Sequence, residues 1–444
     1  MKKNTKGGAI MGWHYDSRLS GKLQEEIKKF SRRVTKGFNK PQRKWIGEMT
    51  YGILKSKDVK LTNIGRAIRD DIDLKYTVKR LSRNLTKEDV SDEIIDSYLP
   101  LACKKVKENT ILSLDLSDIS KEEAEKMDKL CKPWNGSEGR VSDKGYWLCK
   151  VVAKNLKEEE TIPLYNKLFS TEADEFESEN KEMFKAIDAI TQWTKGKGIW
   201  VVDRGGDRRR IYDGLLKREL RFVVRLIAKQ RHLETSDGKR DYPINIVSKM
   251  KLRSRARLEG KEDKRTKTYN VKFGYKRVFL PNGKVELTMV VVKGFGKEPM
   301  ILLTNVEVRN KYEALQVIKY YISRWVIEES FRFIKQSYCI EDIRLRRYNG
   351  LKNMLAIIVL VYGFLSLHLL LRLSSRVLTM YIYERSKRLY GIRDFSFYAL
   401  ADGIFYLLAY YRDKFKVFKE VEKSKRPQEL LLFNISEDLE EKNG

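Results

Sequence analysis

Through the first hundred positions, apolar residues recur every three or four residues with Lys, Arg, Asp and Glu between them, which predicts helices. LTNIGRAIRD (61–70) and LKYTVKRLSRNL (74–85) read as two short amphipathic helices with a break near Asp71–Asp73. A basic second helix suits a helix-turn-helix, whose second helix enters a DNA groove; an ordinary helical bundle fits the same pattern. At residue 111 the texture changes. ILSLDLS (111–117) is a short apolar run with an acid inside it, the pattern of a buried strand. GYWLCKVVAKN (145–155) and TIPLYNKLF (161–169) follow as strands, FKAIDAITQWTKG (184–196) as a helix ending at a glycine, and GIWVVDRGG (198–206) as another buried strand. IYDGLLKREL (211–220) reads as a helix and RFVVRLIA (221–228) as a strand. This order predicts an α/β domain with a mixed sheet. Residues 230–300 carry turn signals (Ser236-Asp237-Gly238, Pro281-Asn282-Gly283) and alternating strands such as NVKFGYKRVFL and VELTMVVVKGF, the pattern of a β-rich insertion. ILLTNVEV (301–308) returns as a strand, followed by one long helix from about Tyr312 to Gln336 and an apolar helix from about Leu351 to Leu373.

Within that last helix, LAIIVLVYGFLSLHLLL (355–371) imitates a membrane span. At the short edge for a span, and as the one such segment in a polar chain, it reads as a buried core helix. The 444 residues are enough for two or three domains, and an apolar content of 42% excludes wholesale disorder. The charge of +30 calls for an anionic polymer partner: DNA, RNA or an acidic membrane surface. It is uneven, with a net of +10 over residues 1–45 and +15 from Arg204 to Leu280. The four cysteines (Cys103, Cys131, Cys149, Cys339) and three histidines (His14, His232, His368) are scattered, so neither a zinc site nor a disulfide framework is expected. Four reduced thiols and the lack of an apolar leader behind MKKNTKGGAI predict a cytosolic protein. The tail from about Glu437 is acidic and is expected to fray.

Three acids stand where structure alone would not put them. Asp115 is inside an apolar strand, Asp203 ends another before two glycines, and Glu328 lies on the long helix. A buried carboxylate is costly unless compensated, and a bound cation is one compensation. Carboxylates from three separate elements suit two magnesium ions, which can activate a water or sugar hydroxyl and stabilise the leaving oxygen of a phosphodiester. Singly, each acid also fits a structural role: a solvated strand end, a turn cap and a surface helix charge. On a helix of 100° per residue, Tyr321, Arg324, Glu328 and Lys335 fall within an arc of about 60°, opposite Ile322, Val326, Ile327, Phe333 and Ile334. Glu329 falls off that stripe. An Arg and a Lys around a metal-binding Glu suit a phosphodiester backbone, although an Arg324–Glu328 salt bridge on a solvated face fits the same spacing.

The pattern Y-x2-R-x3-E-x6-K at Tyr321, Arg324, Glu328 and Lys335, within YYISRWVIEESFRFIKQ, resembles the signature of DDE transposases of the insertion-sequence-four family. DLSDI (115–119) is similar to that family's first-acid strand and VVDRGGD (201–207) to its second-acid strand. The β-rich stretch between Asp203 and Glu328 stands where members carry a β-strand insertion. The resemblance covers about residues 105–375. It implies an RNase H-like catalytic domain, a mixed sheet flanked by helices, at 106–229 and 300–375, interrupted by the insertion at 230–299. A helical DNA-binding domain (1–105) would precede it and a helical C-terminal region (376–444) follow. It implies magnesium-dependent cut-and-paste transposition of an insertion sequence, by cleavage at terminal inverted repeats and strand transfer to target DNA. Asp115, Asp203 and Glu328 would be catalytic and hold two Mg2+ ions, with Mn2+ as a substitute. Tyr321, Arg324 and Lys335 would contact DNA phosphates. The partners implied are double-stranded DNA and a second copy in a homodimer on DNA, with no membrane, in the cytoplasm with a bacterial or archaeal nucleoid. In some relatives the reaction passes through a DNA hairpin, with a flipped base supported by a tryptophan; the matching position here is Met300, a poorer stacking platform.

Asp118 follows Asp115 by three residues and should face the other side of the strand, so both serve one site only if the strand ends between them. Asp115, deeper in the apolar run, is the choice. Asp207 is expected to cap the next helix. The basic residues at 249–277, among them Arg253, Arg255, Arg257 and Lys272, are expected either to be a solvated face or to contact phosphates of the DNA end. YIYERSKRLYGIRDF, after residue 375, is the remaining candidate for a dimer surface. A non-catalytic DNA-binding descendant and a two-metal nuclease without strand transfer are the alternative readings.

Overall fold

The run from Ile111 becomes the strand around which a large sheet is organised. In the computed structural model the described residues are 6–69, 71–135, 139–262, 265–281, 285–386, 395–409 and 411–417. The acidic tail, part of YIYERSKRLYGIRDF and the Asn282-Gly283 turn lie outside them. Five helices come first: α1 (Lys6–Val34), α2 (Lys40–Ser56), α3 (Leu61–Ile68), α4 (Leu74–Lys87) and α5 (Ser91–Cys103). The strands are β1 (Ile111–Ser120), β2 (Trp134–Asn135), β3 (Arg140–Val141), β4 (Gly145–Asn155), β5 (Glu160–Phe169), β6 (Ile199–Val202), β7 (Arg221–Arg225), β8 (Leu233–Thr235), β9 (Arg240–Asp241), β10 (Ser254–Glu262), β11 (Arg265–Leu280), β12 (Val285–Lys293) and β13 (Met300–Thr304). Among and after them run α6 (Glu179–Thr194), α7 (Arg209–Lys217), α8 (Pro243–Ser248), α9 (Lys311–Ser323), α10 (Trp325–Tyr338), α11 (Tyr348–Gly363), α12 (Arg376–Arg385) and α13 (Phe397–Ala409).

The sheet is mixed, as the alternation of strand and helix patterns predicts. Its order is β5-β4-β1-β6-β7-β13-β12-β11-β8-β9, with β10 on β11. β1 runs antiparallel to β4 and parallel to β6, and β6 parallel to β7. The remaining strands are antiparallel, so residues 233–304 extend the sheet that starts at β1.

Alternation along the central strands divides the core in two. Leu112, Leu114, Trp200, Val202, Phe222 and Val224 join the large cluster that also holds the N-terminal helices, α6, α7 and α11. Ile111, Ile199, Val201 and Val223 face a second cluster, closed by Val317, Ile318 and Tyr321 of α9. The apolar segment 348–370, long and apolar enough to cross a membrane, is 89% buried within the protein over its most apolar window. Its polar side chains serve as ties. Buried Asn353 donates to the carbonyls of Leu85 (2.8 Å) and Glu88 (2.7 Å) and accepts from the Val90 N–H (2.9 Å), fastening α11 to the α4–α5 connection. Ser366, in the π-helical turn after α11, donates to the Thr161 carbonyl of β5 at 2.6 Å.

The expected single helix from 312 to 336 is two. The ladder tightens at Arg324, whose N–H reaches the Tyr321 carbonyl (3.0 Å), while its own carbonyl accepts from Ile327 (2.9 Å). α9 then covers the second cluster, and α10 packs on β1 and β4. This break changes what the predicted stripe can do.

Candidate active site

β1 and β6 are hydrogen-bonded in parallel up to the pair Leu114–Val202, and each is followed by one acid of the site, Asp115 and Asp203. After Val202 the chain folds into a single 3-10 turn, Arg204–Gly206. Asp203 caps it, accepting from the Gly205 N–H at 2.7 Å. The turn presses back on its own strand: a Cβ at Gly206 would lie 2.3 Å from Val202 Cγ1, so glycine is required there.

The third acid arrives on α10. Arg324, at the helix junction, ion-pairs with Glu328 one turn on and reaches Asp115 of β1 at 3.5 Å. Lys335, two turns beyond Glu328, lies 3.5 Å from Asp118 and 3.0 Å from Glu341. α10 is seated by Lys150, the cross-strand neighbour of Asp115, whose Nζ donates to the Ser330 carbonyl at 3.0 Å. Lys150 is fully buried against the Phe331 and Tyr362 rings, and burial pushes its ammonium well below the usual lysine range.

Asp115, Asp203, Glu328, Arg324 and Lys335 therefore line one open cleft of ≈ 960 Å³. Asp118, Trp134, Trp147, Arg208 and Arg332 line it too. Burial first, and then the charges of Asp203 and Glu328, push the Asp115 carboxyl up to about 7, with Arg324 pulling the other way. Burial alone would weaken the Arg324 guanidinium; Tyr321, Asp115, Glu328 and Asp203 together hold it more firmly charged than usual. Its Nε is buried without a hydrogen-bond partner.

Two expectations need correction. Tyr321 does not stand in line with the other three. It belongs to α9, is 6% exposed and packs in the second core cluster, and its side chain presents the ring to the Arg324 guanidinium at 5.7 Å. A continuous wheel placed it on the stripe, and the tightened turn at Arg324 removes it. Asp118 does reach the cleft, although β1 stays paired to β4 through Ser120 and does not end between the two acids. Past Leu114 the strand no longer has β6 beside it, and the open cleft is lined there by four consecutive residues, Asp115 to Asp118, so it takes residues from both faces of β1. Asp118 is the partner of Lys335. Asp118→Asn is therefore expected to leave measurable DNA cutting where Asp115→Asn abolishes it; equal loss in both would refute the choice of Asp115.

Asp207 does not cap α7. α7 begins after Arg208 without a side-chain cap, and Asp207, fully buried, accepts from the Tyr212 hydroxyl (3.1 Å), the Ile227 N–H (2.7 Å) and Arg231. Met300 is 2% exposed inside the second cluster. The exposed tryptophan of the cleft is Trp134, on the short β2 that pairs antiparallel with β3, an element the sequence pattern did not predict.

Whether the cleft fits magnesium turns on its donors. All three acids offer oxygen, which magnesium prefers, and the crowding that raises Asp115 is relieved by a cation. They are gathered without being clustered: among the described residues no three His, Cys, Asp or Glu side chains form a ready-made metal group, and Glu328 is turned to Arg324. The donor set fits, with Arg324 standing as the resident counter-charge.

A second cationic surface lies on the β10–β11 ribbon. Arg253, Arg255, Arg257 and Lys272 are exposed, and Arg255 is directly opposite Lys272, while Leu258, Val271 and Phe273 are buried. Like charges directly across a strand pair repel, and a polyanion would relieve that.

Among curated proteins none matches the chain. A cryo-EM structure of a piggyBac transposase synaptic complex with hairpin DNA is similar with a TM-score of 0.42 at 11% identity, covering 78% of this chain and 72% of that one. Residues 176–364, which include Asp203, Arg324, Glu328 and Lys335, match the family model described as a transposase DDE domain, and this match supports a DDE transposase.

Proposed function

We propose that the protein is a DDE transposase of the insertion-sequence-four type, cutting DNA at the terminal inverted repeats of its element and joining the freed ends to target DNA. The observation that carries this reading is the convergence of Asp115, Asp203 and Glu328, from two strands and a helix, on one cleft with Arg324 and Lys335. The strand order β5-β4-β1-β6-β7, antiparallel at first and then parallel, supports an RNase H-like catalytic core. Asp115, Asp203 and Glu328 are the residues that would hold magnesium. When bound, two such ions supply activation of the attacking oxygen and neutralisation of the leaving one; manganese shares the oxygen preference. Arg324 and Lys335 orient the phosphodiester by its non-bridging oxygens. A water, or later the freed 3′ hydroxyl, attacks phosphorus in line as the bond to the 3′ oxygen of the attacked strand breaks. The Trp134 and Trp147 side restricts water and offers faces to bases.

Outside the cleft, α4 turns Lys75, Tyr76, Lys79, Arg83 and Lys87 outward while burying Thr77, Leu81 and Leu85, which supports α3–α4 as a helix-turn-helix. The β10–β11 ribbon serves as a phosphate-contacting surface for the DNA end. Neutralising Arg255, Arg257 and Lys272 together should reduce the slope of log affinity against log salt by about three, roughly one per phosphate contact. An unchanged slope would remove the ribbon from the interface. Two ends must be held together, so a two-fold homodimer on DNA is expected.

Strand transfer separates this reading from a nuclease. Labelled DNA from the gene's own flanks, with magnesium and a second plasmid, should give both cut ends and joined products. Cutting without joining would favour a two-metal nuclease. The engagement of Glu328 by Arg324 is the observation that favours a non-catalytic DNA-binding descendant, and end-specific binding without cutting would support it.

A further inference from the structure

A second groove opens beside the catalytic cleft and shares a residue with it. Its volume is ≈ 810 Å³, and Arg208, Arg209, Gln230, Arg231, His232 and Arg240 line it. Arg208 also lines the catalytic cleft. The link is short: the turn that begins at Asp203 runs through Asp207 to Arg208.

The groove has one sign of charge. Each arginine does have a carboxylate: Glu179 at 2.7 Å from Arg208, Asp213 at 3.2 Å from Arg209, Asp207 on Arg231 and Glu234 at 3.1 Å from Arg240. None of these four acids lines the groove. The inner arginine is built in. Arg231 is held through Nε by the buried Asp207 carboxylate and through Nη2 by the Asp207 carbonyl (2.8 Å), and it lies over the Tyr212 ring at 4.7 Å. The outer two, Arg209 and Arg240, have side chains 56% and 59% exposed, and ion pairs that open exchange readily for a phosphate. His232, its ring tilted at 32° to that of Tyr242 with centroids 4.1 Å apart, lines the groove with them. Glu179 lines the catalytic cleft instead, and a row of arginines that continues out of a phosphodiester-cutting cleft into a groove whose own lining holds no acid fits a sugar-phosphate backbone better than it fits a compact anion.

We propose that this groove holds the backbone of the DNA where it leaves the catalytic cleft, Arg231 being the fixed contact and Arg209 and Arg240 the adaptable ones. The proposal rests on the DNA-cutting reading of the cleft. It is tested with the full-length protein and the double variant Arg209→Ala/Arg240→Ala, both exposed positions, with thermal melting to show that folding is kept. Binding to flank duplex is followed by fluorescence anisotropy across a salt series, with hydroxyl-radical footprinting of the same complexes. The expected result is a log–log salt slope shallower by about two and loss of sugar protection on one side of the cut site only. An unchanged slope with an unchanged footprint would overturn it. So would competition of inorganic phosphate for the unmodified groove with no change in the DNA slope, which would mark a small-anion site. The two readings fail differently: duplex binding without cutting contradicts the transposase, and the groove still stands if the double variant flattens the slope.

Discussion

Glu328→Ala is expected to reduce magnesium-dependent DNA cutting by at least about three orders of magnitude while end-specific binding persists. The loss has two parts. A ligand to the cation disappears, and a metal's neutralisation of developing charge is worth several kcal/mol, with each ~1.4 kcal/mol a factor of ten. In addition Arg324, released from Glu328, is left paired with Asp115 and neutralises the carboxylate that remains. Glu329 is the control that the same helix supplies. It is fully buried, accepts from the Tyr398 hydroxyl at 2.9 Å and pairs with Arg332 at 2.5 Å. Glu329→Gln should lower stability while cutting per folded molecule stays close to that of the unmodified protein. Equal loss of cutting in both variants would mean that α10 acts only as scaffold.

Asp207→Ala is expected to destabilise the protein by about 3–5 kcal/mol, because removing one partner strands a partly buried arginine, a buried tyrosine hydroxyl and a partly buried backbone N–H. Its carboxylate joins the turn after Asp203 to α7, to the end of β7 and to Arg231, whose side chain is 14% exposed. Asp207→Asn, which keeps one acceptor oxygen, should fall between. Chemical denaturation midpoints check both, and a loss below about 1 kcal/mol for the alanine variant would show that the staple is not needed.

Much of this was legible in the residues. The runs 111–117, 145–155 and 198–202 are strands because their apolar residues leave no solvated face, and Asp115 and Asp203 are conspicuous because an acid in such a run must be compensated. Arg324, Glu328 and Lys335 were readable from helical spacing, since they lie at or after the junction and share one rigid helix face. Tyr321 was not, because it lies before the tightened turn, and a wheel assumes unbroken geometry. Asp118 escaped because β1 has lost β6 by that point and the cleft there takes residues from both faces of the strand, which alternation alone cannot reveal. Asp207 looked like a cap from its place before a helix; its partners Ile227 and Arg231 are some twenty residues away and meet it only when β7 docks beside β6. Lys150 could not be read as buried at all: nothing local distinguishes it from the surface lysines, and its partner is a backbone carbonyl 180 residues on. The second groove has the same origin, assembling arginines from three separated stretches.

The most direct test is cutting of labelled flank DNA by the unmodified protein and by Asp203→Asn, each with magnesium and with chelator. Asp203 is a good choice because its carboxylate accepts from the Gly205 N–H, a contact that an asparagine oxygen can keep. The account predicts magnesium-dependent cutting at the element ends by the unmodified protein, its loss with chelator, and its loss in Asp203→Asn with DNA binding preserved. Cutting that persists in Asp203→Asn, or that proceeds unchanged in chelator, would contradict it.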